Sequence, residues 1–279
     1  MDNKYLKTSD LPLGQQSEYV SRYTPSLLYP IARRSSRVRL GITASDTPFK
    51  GMDIWTAYEM SWLDEKGKPC VAVGEFHIPY NSPAIIESKS FKLYLNSFNQ
   101  TRFNNIREVI KTLESDLSTA CGGPVFVQVL PLAQALNKSL GRFPGECLDH
   151  LPVQINDYQP NSTLLSIDKP DHIVGESLYS DLLKSNCPVT GQPDWASVYI
   201  RYRGRPINRE GLLKYIISFR EHQDFHENCV ERMFMDIQQR CAPHQLTVYA
   251  RYTRRGGLDI NAFRSTDENL PLDVRLVRQ

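Results

Sequence analysis

The feature that most constrains the fold is an order of predicted elements that occurs twice along the chain. In the first half, residues 53–62 and 70–78 are rich in aromatic and β-branched side chains and flank a turn with Gly67 and Pro69, as in a β-hairpin. The spacing of the apolar residues then becomes that of an α-helix. One apolar stripe is made of Ile106, Val109, Ile110, Leu113 and Leu117. A strand-like run at 125–129 follows.

The second half repeats this order. Residues 195–202 are predicted to form a strand, and residues 212–217 a first helix. A second helix has an apolar stripe with the same steps of three, one, three and four residues: Val230, Met233, Phe234, Ile237 and Cys241. Strand-like runs at 246–252 and 258–263 complete the half. This order predicts an α+β fold with antiparallel sheets that helices cover on one face.

Two modules are predicted, residues 1–140 and 141–279, because loop-forming residues cluster between about 135 and 162. The two copies differ in their chemistry. The second long helix opens with His226, Glu227 and a nearby thiol, whereas the corresponding opening at 102–106 has neither the ionisable pair nor a cysteine. The first copy of the module therefore lacks reactive side chains at this position. Such a duplication is expected in a chain whose two halves together form one type of site.

The composition argues against several classes of protein. Lys and Arg number 33 and Asp and Glu 31, so a net charge of +2 gives no global field for nucleic acid or membranes. No apolar run approaches the length of a membrane span, and residues 1–7 contain no signal-peptide core, so we expect a soluble, cytoplasmic protein. The six cysteines lack a regular spacing and are expected to be free thiols.

A thiol and a carboxylate occur close together in segment 185–195, as Cys187 and Asp194. Pro188 and Pro193 restrict the backbone there, so one short loop can hold a proton donor within reach of a nucleophilic thiol. Two plainer interpretations stay open. An isolated cysteine is most often a small buried apolar residue, and Pro-Asp is common in turns.

His226 and Glu227 stand at the start of the second long helix. A carboxylate there gains from the helix dipole and can accept N–H bonds from a heterocycle, or it can serve only to stabilise the helix. A metal site is the other alternative. His222 and His226 are four residues apart and Cys229 follows, but the position where a further histidine would be needed is Val230.

Two more segments have the chemistry to bind anions. Glu87 and the hydroxyls of residues 88–90 open a predicted helix, where they can bind an anion or an amide, or simply cap the helix. Segment 249–257 carries arginines, two tyrosines and two glycines, and it suits phosphates, a nucleic-acid strand or a solvated hairpin. Neither the Rossmann nor the P-loop glycine pattern occurs in the chain.

Four motifs, in this order along the chain, resemble those of one enzyme family: residues 87–92, 185–195, 225–232 and 249–257. They are similar to the motifs of the NADPH-dependent 7-cyano-7-deazaguanine reductases, the nitrile reductases of queuosine biosynthesis, in their long two-module form. The resemblance implies two tandem tunnelling-fold (T-fold) modules, each an antiparallel sheet with two helices on one face. It also implies a homodimer.

The resemblance further implies roles for individual residues. Cys187 would add to the nitrile carbon to give a covalent thioimide, and Asp194 would supply the proton. Two NADPH would then reduce the adduct to the primary amine. The implied substrate contacts are Glu87, His226 and Glu227. The implied NADPH contacts are Ser88, Lys89, Ser90, Arg255 and Gly256. No metal, membrane or direct nucleic-acid contact is implied.

Two other functions stay open. A zinc-dependent cyclohydrolase on the same fold would use His222 or His226 with Cys229, and the lack of a third well-spaced ligand argues against it. A non-enzymatic RNA-binding module would use the Tyr/Arg strand at 249–252, and the near-zero net charge argues against it.

Overall fold

The computed structural model describes residues 19–43, 47–135, 140–169 and 171–279. The chain divides into two compact units, each assembled from separate stretches of sequence. Of the described residues, unit 1 contains 19–39, 53–135 and 254–259, and unit 2 contains 40–43, 47–52, 140–169, 171–253 and 260–279. Residues 1–7, on which the expectation about a signal peptide rested, lie outside the described residues.

The helices are α1 (Arg34–Arg39), α2 (Ser88–Asn96), α3 (Ile106–Cys121), α4 (Leu132–Ala135), α5 (Arg209–Ser218) and α6 (His226–Cys241). The strands are β1 (Pro30–Ala32), β2 (Lys50–Leu63), β3 (Pro69–Pro79), β4 (Ala84–Ile86), β5 (Phe126–Pro131), β6 (Leu140–Gly141), β7 (Glu146–Cys147), β8 (Val174–Asn186), β9 (Pro193–Gly204), β10 (Gln245–Tyr252), β11 (Leu258–Ser265) and β12 (Arg275–Leu276). The predicted α+β class is confirmed. Within the described residues, no helix has the length and apolar character needed to cross a membrane.

Unit 1 contains the predicted hairpin of β2 and β3, with β5 added antiparallel to β3. The helices pack on this sheet through apolar side chains. Phe91 of α2 meets Trp55 of β2 and Phe76 of β3 edge to face, with ring centroids 5.2 and 5.0 Å apart. Leu113 and Leu117 of α3 are fully buried, as the apolar stripe predicts.

Unit 2 has an antiparallel sheet in the order β11-β10-β9-β8, with β7 parallel to β8 at its edge. Strand β8 was not predicted. A bulge between Ser180 and Leu183 shifts its register against β9, which breaks the alternation of apolar and polar residues that identifies a strand. The buried side chains of α6 include Val230, Met233 and Phe234, in agreement with the predicted stripe.

Each unit has an equivalent, partly buried tyrosine–aspartate hydrogen bond between its two helices. In unit 1 the Tyr94 hydroxyl donates to Asp116 Oδ2 at 2.6 Å, and in unit 2 the Tyr215 hydroxyl donates to Asp236 Oδ2 at 2.7 Å. Each tyrosine is the seventh residue of its helix and each aspartate the eleventh of the next helix. The two long helices therefore align from their first residues, Ile106 and His226.

This alignment corrects one detail of the sequence comparison. The sequence comparison pairs Ile106 with Val230, because each begins the same series of apolar residues. In the structure, Ile106 is equivalent to His226, which is four residues before Val230. Helical stripes recur every three or four residues, so a stripe matches another almost as well after a shift of one turn. Specific polar contacts, rather than apolar periodicity, fix the alignment.

Candidate active site

The turn that carries Cys187 connects β8 to β9. The Cys187 N–H donates to the Gln192 carbonyl at 2.9 Å, and the Gly191 N–H donates to the Cys187 carbonyl at 3.0 Å. Gly191 has a φ of 68°, a left-handed conformation that glycine adopts at little cost. Cys187 is only 4% exposed. The thiol is thus held in a closed turn and largely shielded from water.

Asp194 does not lie in this turn, so the prediction that the thiol and the carboxylate share one loop was wrong. Strand β9 begins at Pro193, and Asp194, its second residue, pairs with Ser185 of β8. Proline lacks an N–H but is tolerated at the first residue of a strand. The strand therefore begins where Pro-Asp suggested a turn. The sheet holds the Asp194 backbone in place.

Backbone contacts also join the end of β8 to the segment that precedes α6. The Asn186 N–H donates to the His222 carbonyl at 2.8 Å, and the Asp224 N–H donates to the Asn186 carbonyl at 3.3 Å. Cys187 follows Asn186 directly, and α6 begins two residues after Asp224. These bonds bring the thiol and the first turn of α6 to the same end of unit 2.

His226 is oriented by a backbone carbonyl and faces Asp194. Its Nδ1 lies 3.2 Å from the Ile260 carbonyl oxygen. A carbonyl oxygen only accepts, so we assign the proton to Nδ1, which leaves the Nε2 lone pair available in the neutral ring. Nε2 lies 3.5 Å from Asp194 Oδ2, and the side chains of His226 and Asp194 are 15% and 8% exposed. The pair can therefore hold and pass a proton in a site with little water.

The other reactive groups near the start of α6 are buried. Glu227 lies in the first turn of the helix and is 2% exposed. Cys229 is fully buried, and this burial, followed by the charge of Asp224, raises the pKa of its thiol well above the usual value. Cys229 is therefore a neutral thiol near pH 7, which makes it a poor nucleophile.

Metal ligation finds little support at the predicted positions. His222 Nε2 lies 3.9 Å from Asp224 Oδ2, and His226 Nδ1 is engaged by a backbone carbonyl. In the parts of the chain that the structure describes, His, Cys, Asp and Glu do not form a group of three or more suited to a metal ion. The zinc alternative therefore has no ligand set among those residues.

Glu87 of unit 1 caps helix α2. Its carboxylate accepts the N–H groups of Lys89 at 2.9 Å and Ser90 at 2.7 Å, and the residue is fully buried. Burial raises the pKa of the Glu87 carboxyl, while the two backbone hydrogen bonds oppose this shift. Of the interpretations left open for this segment, the structure shows capping. The cap also occupies helix N–H groups that an anion would otherwise use.

The remaining predicted cofactor residues also lie in unit 1. Ser88 and Lys89 are half-buried. Ser90 is buried, and its hydroxyl donates to the Glu87 carbonyl at 2.7 Å and accepts the Tyr29 N–H at 3.0 Å. The Ser90 hydroxyl thus supports the turn that precedes α2.

Arg255 and Gly256 form an exposed turn between β10 and β11. Gly256 has a φ of 61°, and a Cβ at this residue would lie 2.5 Å from Nζ of Lys92 on α2. The structure therefore brings this turn beside α2, one turn of helix beyond Lys89. Gly256 allows close approach to the backbone, and Arg255 and Lys92 place positive charge at this turn, so the residues fit an anionic dinucleotide, although the Glu59 carboxylate lies 3.8 Å from Lys92 Nζ.

One residue near the predicted site was missed. Tyr252, the last residue of β10, stacks on the His226 imidazole with ring centroids 3.6 Å apart and an angle of 4° between the planes. In the sequence it is one aromatic residue of a predicted strand. Strand periodicity shows which face of a sheet a side chain occupies but not which ring it meets, so no sequence signal identified it.

The chain is similar to known proteins along most of its length. A family model described as nitrile reductase, 7-cyano-7-deazaguanine-reductase N-term, matches residues 19–129, and a model described as QueF-like protein matches residues 193–270. The NADPH-dependent 7-cyano-7-deazaguanine reductase of Dechloromonas aromatica is 58% identical over 269 residues, which cover 96% of this chain and 95% of that protein. The Ralstonia nicotianae protein of the same name is 56% identical over 261 residues, 93% of this chain and 94% of that protein.

Among solved structures, an archaeosine synthase QueF-Like in the apo form matches 37% of this chain and 100% of its own, with 18% identity and a TM-score of 0.31. This match is too weak to indicate a fold. The curated relatives, in contrast, are similar along almost the whole chain. The identity of more than half of the aligned residues, over nearly the full length of both relatives, places this chain in the family of NADPH-dependent 7-cyano-7-deazaguanine reductases.

Proposed function

We propose that this protein reduces the nitrile of 7-cyano-7-deazaguanine to the primary amine 7-aminomethyl-7-deazaguanine with two NADPH, as a step of tRNA queuosine biosynthesis. The observation that carries the proposal is that one end of unit 2 holds the buried thiol of Cys187, the buried carboxyl group of Asp194 and the half-buried imidazole of His226. These groups suit the addition of a nucleophile to a polar triple bond with coupled proton transfer. The identity of the substrate is inferred from family membership.

In the first step, the Cys187 sulfur bonds to the nitrile carbon, and the triple bond becomes the double bond of a thioimide. Asp194 accepts the proton that the thiol gives up and passes it to the nitrile nitrogen. Overall, S–H adds across C≡N, so atoms and electrons balance. Asp194 lies 3.5 Å from His226 Nε2, which gives the proton a second carrier.

NADPH, when bound, supplies the reducing equivalents, and the four electrons between a nitrile and a primary amine require two of these molecules. The residues of this chain hold the covalent intermediate in the site, and the Cys187 thiol is released when reduction is complete. Since the thiol group, the carboxyl group and the imidazole are at most about a sixth exposed, water has little access to hydrolyse a covalent intermediate.

We assign substrate recognition to Glu227 and Glu87, with His226 beside the reacting group. A carboxylate oxygen has two lone pairs, so the cap of α2 leaves Glu87 with further capacity to accept N–H groups. We assign NADPH binding to Ser88, Lys89, Arg255 and Gly256. Ser90 belongs to the same segment, and we place its contribution in the backbone turn that its hydroxyl supports.

Replacement of Arg255 by alanine is expected to raise the KM for NADPH about tenfold more than the KM for NADH. A guanidinium group pairs with the additional phosphate of NADPH, and a charge-assisted hydrogen bond of this kind contributes about 1.5 to 3 kcal/mol. The KM values for both cofactors should be measured at low and high salt, because screening weakens a phosphate contact. Arg107→Ala, at an exposed arginine of α3, is the control. Equal losses for NADPH and NADH would show that Arg255 only shapes the turn.

The stoichiometry of the reaction tests the proposed function. The purified protein, given 7-cyano-7-deazaguanine and excess NADPH, is expected to oxidise two NADPH for each nitrile consumed and to produce one primary amine, without added metal. NADPH oxidation should be followed by absorbance and the amine by mass spectrometry. Oxidation of one NADPH per nitrile, or a reaction that stops when a zinc chelator is added, would contradict the proposal.

We also propose that the halves, residues 1–140 and 141–279, are tandem T-fold modules, and that the chain acts in the cytoplasm as a homodimer without direct contact to nucleic acid. The equivalent Tyr–Asp hydrogen bonds of the two helix pairs support an internal duplication. A second pair of equivalent hydrogen bonds, made by serine hydroxyls, also supports the duplication. Ser97 donates to the Tyr94 carbonyl and Ser218 donates to the Tyr215 carbonyl, both at 2.6 Å.

A further inference from the structure

We propose that Tyr252 is a positioning residue for nitrile reduction, whose ring fixes the plane of the His226 imidazole so that Nε2 faces Asp194. The inference rests on the proposed function, since it assigns a role within the same site. It starts from the stack of the two rings, whose centroids are 3.6 Å apart and whose planes differ by 4°.

The hydrogen bond of His226 does not fix the imidazole by itself. Nδ1 contacts the Ile260 carbonyl at 3.2 Å, which defines the position of one ring atom. The outer torsion of a histidine side chain has a broad preference, so the ring can still tilt about this contact. A parallel aromatic face at van der Waals distance blocks that tilt. The hydrogen bond and the stack together direct Nε2 toward Asp194, 3.5 Å away.

Tyr252 is held firmly enough to serve as this surface. Its side chain is fully buried, and its hydroxyl oxygen lies near the Cys229 thiol and the Ser185 hydroxyl without a hydrogen bond of standard geometry to a described residue. Its backbone is fixed as well. The Tyr252 N–H donates to Asn261 Oδ1 at 3.0 Å, and Gln279 Nε2 donates to the Tyr252 carbonyl at 3.3 Å and to Asn261 Oδ1 at 3.0 Å.

The flat ring is the feature that matters for this role. A leucine or methionine is smaller than tyrosine but would fill part of the space, and it would present no plane against which an imidazole could lie. A phenylalanine would retain the plane and lose only the hydroxyl contacts with Cys229 and Ser185. Variants of these two kinds therefore separate positioning of His226 from the filling of space.

A double-mutant cycle tests the proposal. Tyr252→Leu and Tyr252→Met are each expected to lower kcat about 10- to 100-fold, with a smaller change in the KM for the nitrile, as misplacement of a catalytic group does. Tyr252→Phe should restore kcat to within about threefold of wild type, since it retains the stacking plane. In a His226→Ala background, Tyr252→Leu should lower kcat less than about twofold further, because the partner is already absent.

The control is Tyr215→Leu, another fully buried tyrosine of unit 2, which contacts Asp236 and Phe219. It should lower the thermal midpoint while kcat per folded molecule stays at the wild-type value. If Tyr252→Leu lowered kcat equally with and without His226, the positioning role would be refuted. If Tyr252→Leu did not fold, the same comparison would be made with Tyr252→Met and Tyr252→Phe, and equal kcat values for these two would refute it. A wild-type protein that does not oxidise NADPH with the nitrile would instead refute the proposed function.

Discussion

Replacement of Cys187 by alanine is expected to abolish nitrile reduction and to leave binding of the nitrile intact. Loss of a covalent nucleophile typically lowers turnover by roughly 10⁴-fold or more. A substitute nucleophile is not at hand in Cys229, because burial raises the pKa of that thiol well above neutrality. Binding should persist because the proposed recognition of the base depends on Glu87, His226 and Glu227. Turnover should be measured as NADPH oxidation, and binding by calorimetry.

The matched control for this variant is Cys241→Ala. Cys241 is also a buried thiol of unit 2, 2% exposed, but it ends α6 at the other end of the helix from His226. The control should lose stability by about 1 kcal/mol, because it leaves a small cavity, and should retain its kcat. Turnover by Cys187→Ala above about a hundredth of the wild-type rate would rule out a thioimide mechanism at Cys187.

Replacement of Asp194 by asparagine is expected to lower kcat by about 10²-fold or more, the usual contribution of a general acid. Asparagine has almost the same shape as aspartate, so the β8–β9 pairing should persist. Its amide cannot transfer a proton to the nitrile nitrogen or exchange one with His226. The KM for the nitrile should change less than kcat. The dependence of kcat on pH should be recorded for the variant and for wild type.

Asp236→Asn, at a half-buried carboxylate, serves as the control for the replacement of a carboxylate by an amide. Asp236 accepts the Tyr215 hydroxyl at 2.7 Å in the helix pair, outside the proposed catalytic machinery. Its replacement should lower the thermal midpoint and leave the pH dependence of kcat unchanged. If Asp194→Asn also kept the wild-type pH dependence of kcat, Asp194 would not be the general acid.

The sequence was sufficient to predict the longer helices and every strand of six or more residues except β8, because their apolar patterns repeat over many residues. The β2–β3 hairpin, α3 and α6 follow directly from such patterns. Strand β8 does not, since the bulge between Ser180 and Leu183 changes which face successive side chains occupy. The position of Asp194 was missed for a related reason, because Pro193 begins a strand instead of a turn.

The candidate site was predictable where short motifs carry its chemistry and unpredictable where it depends on packing. Cys187, His226 and Glu227 stand out as reactive groups at a turn and a helix start. Tyr252 reaches His226 only because the end of β10 lies against the start of α6. Likewise, the sequence only suggested that Glu87 caps α2, and the distances to the Lys89 and Ser90 N–H groups were needed to show it.

The covalent step at Cys187 is tested most directly by the mass of the intact protein after incubation with 7-cyano-7-deazaguanine in the absence of NADPH. We expect the mass to increase by one substrate per chain, with the addition located on the peptide that contains Cys187, and to return to its original value when NADPH is added. Cys187→Ala should show no increase. NADPH-dependent turnover without any mass increase, or an adduct located on Cys229, would contradict catalysis through a Cys187 thioimide.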